Sequence, residues 1–324
     1  MRLFSLISLI LFALLFTQCT KDRYDPNAPC IPHEALSVDK GYTHTPIFEA
    51  EPRQPHSFYF NPTNSDEIAL IFWEKGSVGL WVYNLQTGHY RSMIDIDDGI
   101  YLLGDPAWSS NGWILLNVLD ATGVFNLYKV HLNGTGMEQL TQDGNAVHPV
   151  IDITGEKIIY MVAGSSPATW LVIDEEGEVL DTTYLGPSDD NVSWQHSQYI
   201  ANITSLGLMI ADPYQNQFEV IYPVHSELDQ SIESTVWLDE ERIFWCFTTG
   251  VYITNIVTGE TEVIRETCNA RYYQRPTYAP DIDKIVLERC ERIKDTETSG
   301  RFIVTPTMMN PDGSEEEVLE IEVD

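Results

Sequence analysis

Positive charge is what this chain has least of. It carries 18 Lys+Arg against 49 Asp+Glu in 324 residues, a formal net charge of −31. Nucleic-acid binding needs a basic footprint that displaces counterions, so general electrostatic partners of the DNA or RNA kind are excluded. The same balance excludes attachment to anionic lipid through a polybasic patch. Between Ile158 and Glu241 there is no Lys or Arg at all. Catalytic and metal signatures are also missing. The chain has no C-x-x-C, no paired-histidine zinc motif, no H-E-x-x-H and no G-x-S-x-G elbow, which removes the best-marked metalloprotease and hydrolase readings. No cofactor and no metal site is implied. Beyond the first twenty residues there is no long 3.6-residue hydrophobic period, so helices do not build the body. What is there is apolar: 43% hydrophobic and 11% aromatic residues, too much for a disordered acidic tail.

The N-terminus reads as an address. Arg2 is a one-residue positive head. Leu3 to Phe16 is an apolar run broken only by Ser5 and Ser8, and Thr17-Gln18-Cys19 follows. The run is shorter than the roughly 20 residues of a membrane span and fits a signal-peptide core. Ending at a cysteine, it resembles a bacterial lipoprotein signal. That resemblance implies lipidation of Cys19, which becomes the mature N-terminus. Phe16 and Gln18 depart from the residues usual before that cysteine, and an ordinary secretory signal is the alternative. Thr20 looks like an outer-membrane address, and Lys21-Asp22 resembles the surface-export signal of some Bacteroidota lipoproteins. The expected division is 1–18 signal peptide, 19–53 lipid-anchored tether and 54–324 folded body, facing periplasm or cell surface. Export permits disulfides among Cys30, Cys246, Cys268 and Cys290, with three possible pairings.

The body is a repeat. Phe60, Trp108, Ile151, Trp194, Trp237 and Tyr278 recur at spacings of 48, 43, 43, 43 and 41 residues. Each anchor sits on a short strand. A polar turn such as Ser109-Ser110-Asn111-Gly112 follows, then a strongly apolar strand such as Trp113 to Val118. An alternating third strand such as Leu127 to Leu132 leads to a glycine turn, as at Thr87-Gly88 and Thr258-Gly259. A fourth strand such as Glu262-Val263-Ile264 closes the unit. Period-two strands bounded by turn residues are half-buried β-structure. Four strands in about 43 residues is a propeller blade. A lone blade leaves its faces bare, so six must close into a ring. The fold class is therefore all-β, a six-bladed β-propeller of four-stranded blades. Trp108, Trp194 and Trp237 are expected between blades rather than against a ligand. The extra residues between the first two anchors are placed near Asp95 to Tyr101. A strand at Thr45 to Phe48 is expected to pack on the ring, and the last strand is read at Val318 to Val323. How the ring closes is not visible.

Asp105-Pro106-Ala107-Trp108-Ser109-Ser110-Asn111-Gly112, with Asn126-Leu127-Tyr128, Asn133-Gly134 and Gln139-Leu140-Thr141, resembles the repeat of TolB-like β-propellers. His148-Pro149 and Arg275-Pro276-Thr277-Tyr278-Ala279-Pro280-Asp281 match it in part, and the fourth unit departs most. The resemblance covers about 54–324. It implies fold and little about function, because propellers host many activities.

The first strand of a blade lines the central channel. Three residues before the anchors stand Ser57, Asp105, His148, Asn191, Ser234 and Arg275, all polar. This channel-mouth ring is the ligand-binding candidate; a water-filled funnel is the plain alternative. Ser57, His148 and Asp105 have the composition of a Ser-His-Asp set without a known geometry. His56 and His196 lie near the ring in register and His225 in the following loop, which makes a metal conceivable. Asn133-Gly134-Thr135, Asn191-Val192-Ser193 and Asn202-Ile203-Thr204 match N-glycosylation sequons, and Asp181-Thr182-Thr183 resembles a Bacteroidota O-glycosylation triplet; each is a short match of little weight. Cys268, in the loop before the sixth blade, and Cys290, at the end of that blade's second strand, should share a face, so a disulfide between them is expected.

The expectation is a monomeric, lipid-anchored propeller that binds a protein, peptide or glycan without catalysis. Alternatives are a carbohydrate-active lyase or hydrolase with a channel active site, or a purely structural envelope component. Arg271, Arg275, Lys284, Arg289, Arg292, Lys294 and Arg301 gather in the sixth unit, so an anionic ligand is sought near Arg275.

Overall fold

The computed structural model describes residues 44–45 and, with gaps, 54–321. Cys19, Asn191, Cys268 and most of 1–53 lie outside the described residues, as do His196 and His225. Strand β1 is His44–Thr45. Blade 1 comprises β2 (Gln54–Asn61), β3 (Asn64–Glu74), β4 (Ser77–Asn84) and β5 (Tyr90–Ile94). Blade 2 comprises β6 (Tyr101–Trp108), β7 (Trp113–Leu119), β8 (Phe125–His131) and β9 (Met137–Gln139). Blade 3 holds β10 (Ala146–Ile151), β11 (Lys157–Val162), β12 (Thr169–Asp174) and β13 (Val179–Thr183). Blade 4 holds β14 (Val192–Ser193), β15 (Ile200–Thr204), β16 (Gly207–Asp212) and β17 (Gln217–Pro223). Blade 5 is β18 (Ser234–Trp237), β19 (Arg242–Phe247), β20 (Gly250–Asn255) and β21 (Thr261–Glu266). Blade 6 is β22 (Arg271–Ala279), β23 (Lys284–Lys294), β24 (Gly300–Met309) and β25 (Glu317–Val318), joined by β1. Blades 1 to 5 are antiparallel meanders in sequence order. No helix occurs among the described residues.

Burial explains the strand patterns. Strand β7 is covered on both faces by neighbouring blades and reads Trp-Ile-Leu-Leu-Asn-Val-Leu, buried almost throughout. Strand β9 at the rim is exposed at all three residues. The third-to-fourth turns are set by side chains. Asn255 Oδ1 accepts from Val257 N (2.9 Å) and Thr258 N (2.8 Å). Gly259 then takes φ +73°, open to glycine without penalty.

Each blade meets the next through its own apolar cluster, and the anchors lie in these seams. Trp108 packs on Ile71, Leu80 and Val82 of blade 1. Trp194 packs with Ile159, Trp170 and Val172 of blade 3. Trp237 packs with Ala201, Ile203 and Leu208 of blade 4. These three tryptophans are 0–3% exposed. Burying a Trp removes about 200 Å² from water, worth on the order of 5 kcal/mol as an upper bound.

Ring closure is now explicit. Phe58, Phe60, Ile68 and Leu70 of blade 1 pack against Ala279 and Val286 of blade 6. Ser65 Oγ donates to Asp281 Oδ2 at 2.7 Å across that seam. The outer position of blade 6 is shared by both ends of the chain. Strand β1 pairs parallel with β24 at His44↔Gly300 and Thr45↔Arg301. Strand β25 pairs antiparallel with it at Thr307↔Val318 and Met308↔Glu317. The N-terminal strand thus begins one residue before its sequence reading, with 46–48 outside the described residues, and the last begins at Glu317.

Candidate functional site at the channel mouth

Four of the six ring positions share a backbone feature that sequence did not show. The pairing register of the innermost strand shifts between His56 and Tyr59, Leu103 and Ala107, Val147 and Val150, and Gln274 and Thr277. These interruptions bracket Ser57, Asp105, His148 and Arg275. Three of the four, Ser57, His148 and Arg275, hold φ of +52° to +53°. Non-glycine residues in this region store roughly 1–3 kcal/mol of strain each and persist only when their surroundings impose them. Bulges of this kind re-aim side chains and are over-represented beside functional sites.

A cavity of about 390 Å³ lies at the centre of the ring and takes lining residues from the first strands of all six blades. His148, Ser234 and Arg275 are in its wall, with Pro106, Pro149 and Pro276 between them. Three of the six ring residues thus border one cavity. Blade 1 contributes Phe58 and Tyr59. Ser57 is 5% exposed, and its backbone amide is used in ring closure. Asp105 lies on β6, but its side chain is outside the described residues, and so is Asn191. The Ser57–His148–Asp105 set is thus not assembled as a described geometry.

The residue sequence reasoning missed is Glu288. It is fully buried on β23. Its Oε1 accepts from Ser57 N at 2.8 Å, and its Oε2 accepts from Gln274 Nε2 at 2.6 Å and Arg275 Nη1 at 3.1 Å. Arg275 N in turn donates to Ser234 Oγ at 3.0 Å. A polar chain therefore runs Ser234–Arg275–Glu288–Ser57 through blades 5, 6 and 1. A buried carboxylate is costly unless its lone pairs are met; here three donors meet them. The signal for Glu288 was available. It is the one charged residue of the run Ile285-Val286-Leu287-Glu288, where blade 5 has Ile243-Phe244-Trp245-Cys246.

Burial pushes the thiols of Cys246 and Cys290 well above the ordinary cysteine value. Both are buried and unbonded to each other among the described residues, and Cys268, the expected partner of Cys290, is outside the described residues. Among the described residues no three His, Cys, Asp or Glu side chains gather as a metal-holding group.

A closed ring of six blades around a walled central cavity defines the chain as a six-bladed β-propeller. Its fold is shared with TolB proteins. The structure of a putative TolB from Agrobacterium tumefaciens superposes with TM-score 0.55 at 16% identity, covering 75% of this chain and 88% of that one. The β-propeller domain of the Trilobed protease from Pyrococcus furiosus gives TM-score 0.53 at 11% identity, covering 84% and 96%. A puromycin-hydrolyzing peptidase from Mycobacterium tuberculosis gives 0.52 at 8% identity, with 85% of this chain spanning 53% of that protein. No family model matches the chain, and no curated protein matches it in sequence.

Proposed function

We propose that this protein is an exported, lipid-anchored propeller that binds a protein, peptide or glycan partner over the channel mouth without transforming it. The observation that carries the reading is the strained, braced mouth. His148 and Arg275 are held in left-handed conformations at the cavity wall, and Arg275 is fixed by buried Glu288. Rigid presentation of a cation, an imidazole and hydroxyls suits recognition, because less freedom is lost on binding. Likeness to TolB proteins supports a binding scaffold at the envelope, and likeness to peptidase propellers supports a ring that works beside other machinery. The signal ending at Cys19 supports the anchor.

The test is site-specific photo-crosslinking in cells, with the probe at His148 and, as a control, at exposed Val257 on the rim of blade 5. A discrete adduct at His148 that is absent at Val257 supports a mouth partner. Equal labelling at both positions, or none, ends the reading. Changing Cys19 to Ala should release the protein from membranes, and continued retention would refute the anchor.

A further inference from the structure

A second cavity, of about 460 Å³, lies in the seam between blades 5 and 6, away from the channel. It is lined by Arg265 on β21, Thr267 just after it, Arg271 and Tyr273 on β22, Arg289 on β23, and Glu316 just before β25. Three guanidiniums around one space are costly in a chain with 18 cations against 49 acids. Exposed Glu266 also borders the cavity.

The cavity already displays how it holds a carboxylate. Glu316 accepts from Arg265 Nη1, from Arg289 Nη1 at 2.8 Å and from the Tyr273 hydroxyl at 3.2 Å. The Arg265 guanidinium lies 5.5 Å from the Tyr273 ring centroid and its Nη1 donates to the Tyr273 hydroxyl at 2.7 Å. Guanidinium forks match the planar carboxylate geometry. The floor is buried: Tyr273 and Thr267 are 2% and 3% exposed. Burial raises the Tyr273 phenol above its ordinary value, while Arg265, Arg289 and Arg271 all pull against that rise. Arg271 adds a solvent-exposed guanidinium at the start of β22, where an incoming anion arrives first.

We propose that this seam cavity is a binding site for a small carboxylate-bearing molecule, received by Arg271 and Arg289 beside the internal carboxylate of Glu316. The site is independent of the channel-mouth reading. It also moves the expected anion site from Arg275, whose guanidinium bonds Glu288, to the opposite face of the same blade.

Calorimetric titration of the full chain with succinate, and separately with inorganic phosphate, tests this. Succinate should bind saturably and more tightly than phosphate. Arg271→Ala should weaken it about tenfold, the worth of a charge-assisted hydrogen bond; Arg271 is exposed, so folding is not at stake. Glu316→Gln should tighten it by removing a like charge, with thermal melting to confirm the fold. If that variant melts early, Arg271→Ala decides alone. Absence of saturable succinate binding, equal binding of phosphate, or indifference to Arg271→Ala would each overturn the proposal.

Discussion

The seam between blades 4 and 5 and the seam between blades 6 and 1 perform the same task with different chemistry. The first is apolar and aromatic: Trp237 and Trp245 fill it, Trp245 stacks on Tyr252 at 4.3 Å between centroids, and Trp237 Nε1 donates to Ser193 O at 3.2 Å. The second has an apolar cluster too, but adds the buried carboxylate of Glu288 and the Ser65–Asp281 hydrogen bond. Blades 4 and 5 are consecutive in the chain. Glu288 reaches Ser57 across 231 residues, and closing so long a loop costs more entropy than joining neighbours. Both seams carry a polar contact that fixes alignment, Trp237 to Ser193 in the first and Ser57 to Glu288 in the second; the closing seam differs in placing a buried charge there, held on its own blade by Gln274 and Arg275.

The largest effect should come from the aromatic seam. Trp237→Ala should lower unfolding free energy by about 4 kcal/mol in urea titration, from lost burial and an unfilled cavity. A loss under half of that would mean the seam collapses to fill the space. Next is the closing seam. Glu288→Ala should cost about 3 kcal/mol, at the low end for breaking a buried pair because Arg275 is partly exposed. Hydrogen exchange should rise in β2 and β22 but not in β15 and β18, and uniform acceleration would deny a local role in closure. Gly177→Ala comes third. A Cβ there would run into the backbone carbonyl of Leu140, at φ +88°. About 1–2 kcal/mol of strain is expected, read as a fall in Tm.

The smallest effect is electrostatic and lies on the surface of blade 5. Burial alone would raise the Asp239 carboxyl, but hydrogen bonds from Glu241 N, the Arg242 guanidinium and Arg242 N hold it below its ordinary value. A depressed carboxyl contributes stability that is present above its unfolded pKa and lost as pH falls through the folded one. Asp239→Asn should therefore be less stable than the native protein at pH 7, by under about 1 kcal/mol for so exposed a pair, and the difference should close as pH falls below about 4. A difference that stayed the same in acid would point to the turn hydrogen bonds instead.

Much of the ring was legible in the chain because blades are local. The 43-residue recurrence, the strand alternation and the Asn-x-x-Thr-Gly turns each arise from residues within a few positions of one another. The expected ring of polar residues was legible to the extent that His148, Ser234 and Arg275 line the cavity. The left-handed backbone at Ser57, His148 and Arg275 was not. Two of these precede proline, which by itself favours extended backbone; tertiary pairing imposes the bulge.

The sequence by itself determined the number of blades, the strands within them and the tryptophans that divide them, since period and turn chemistry act over short distances. Only the tertiary structure decided how the ring shuts and where its charges settle. Glu288 finds Ser57, His44–Thr45 finds β24, and Glu316 enters a three-arginine seam. Such contacts join residues tens to hundreds of positions apart, and no local pattern encodes them.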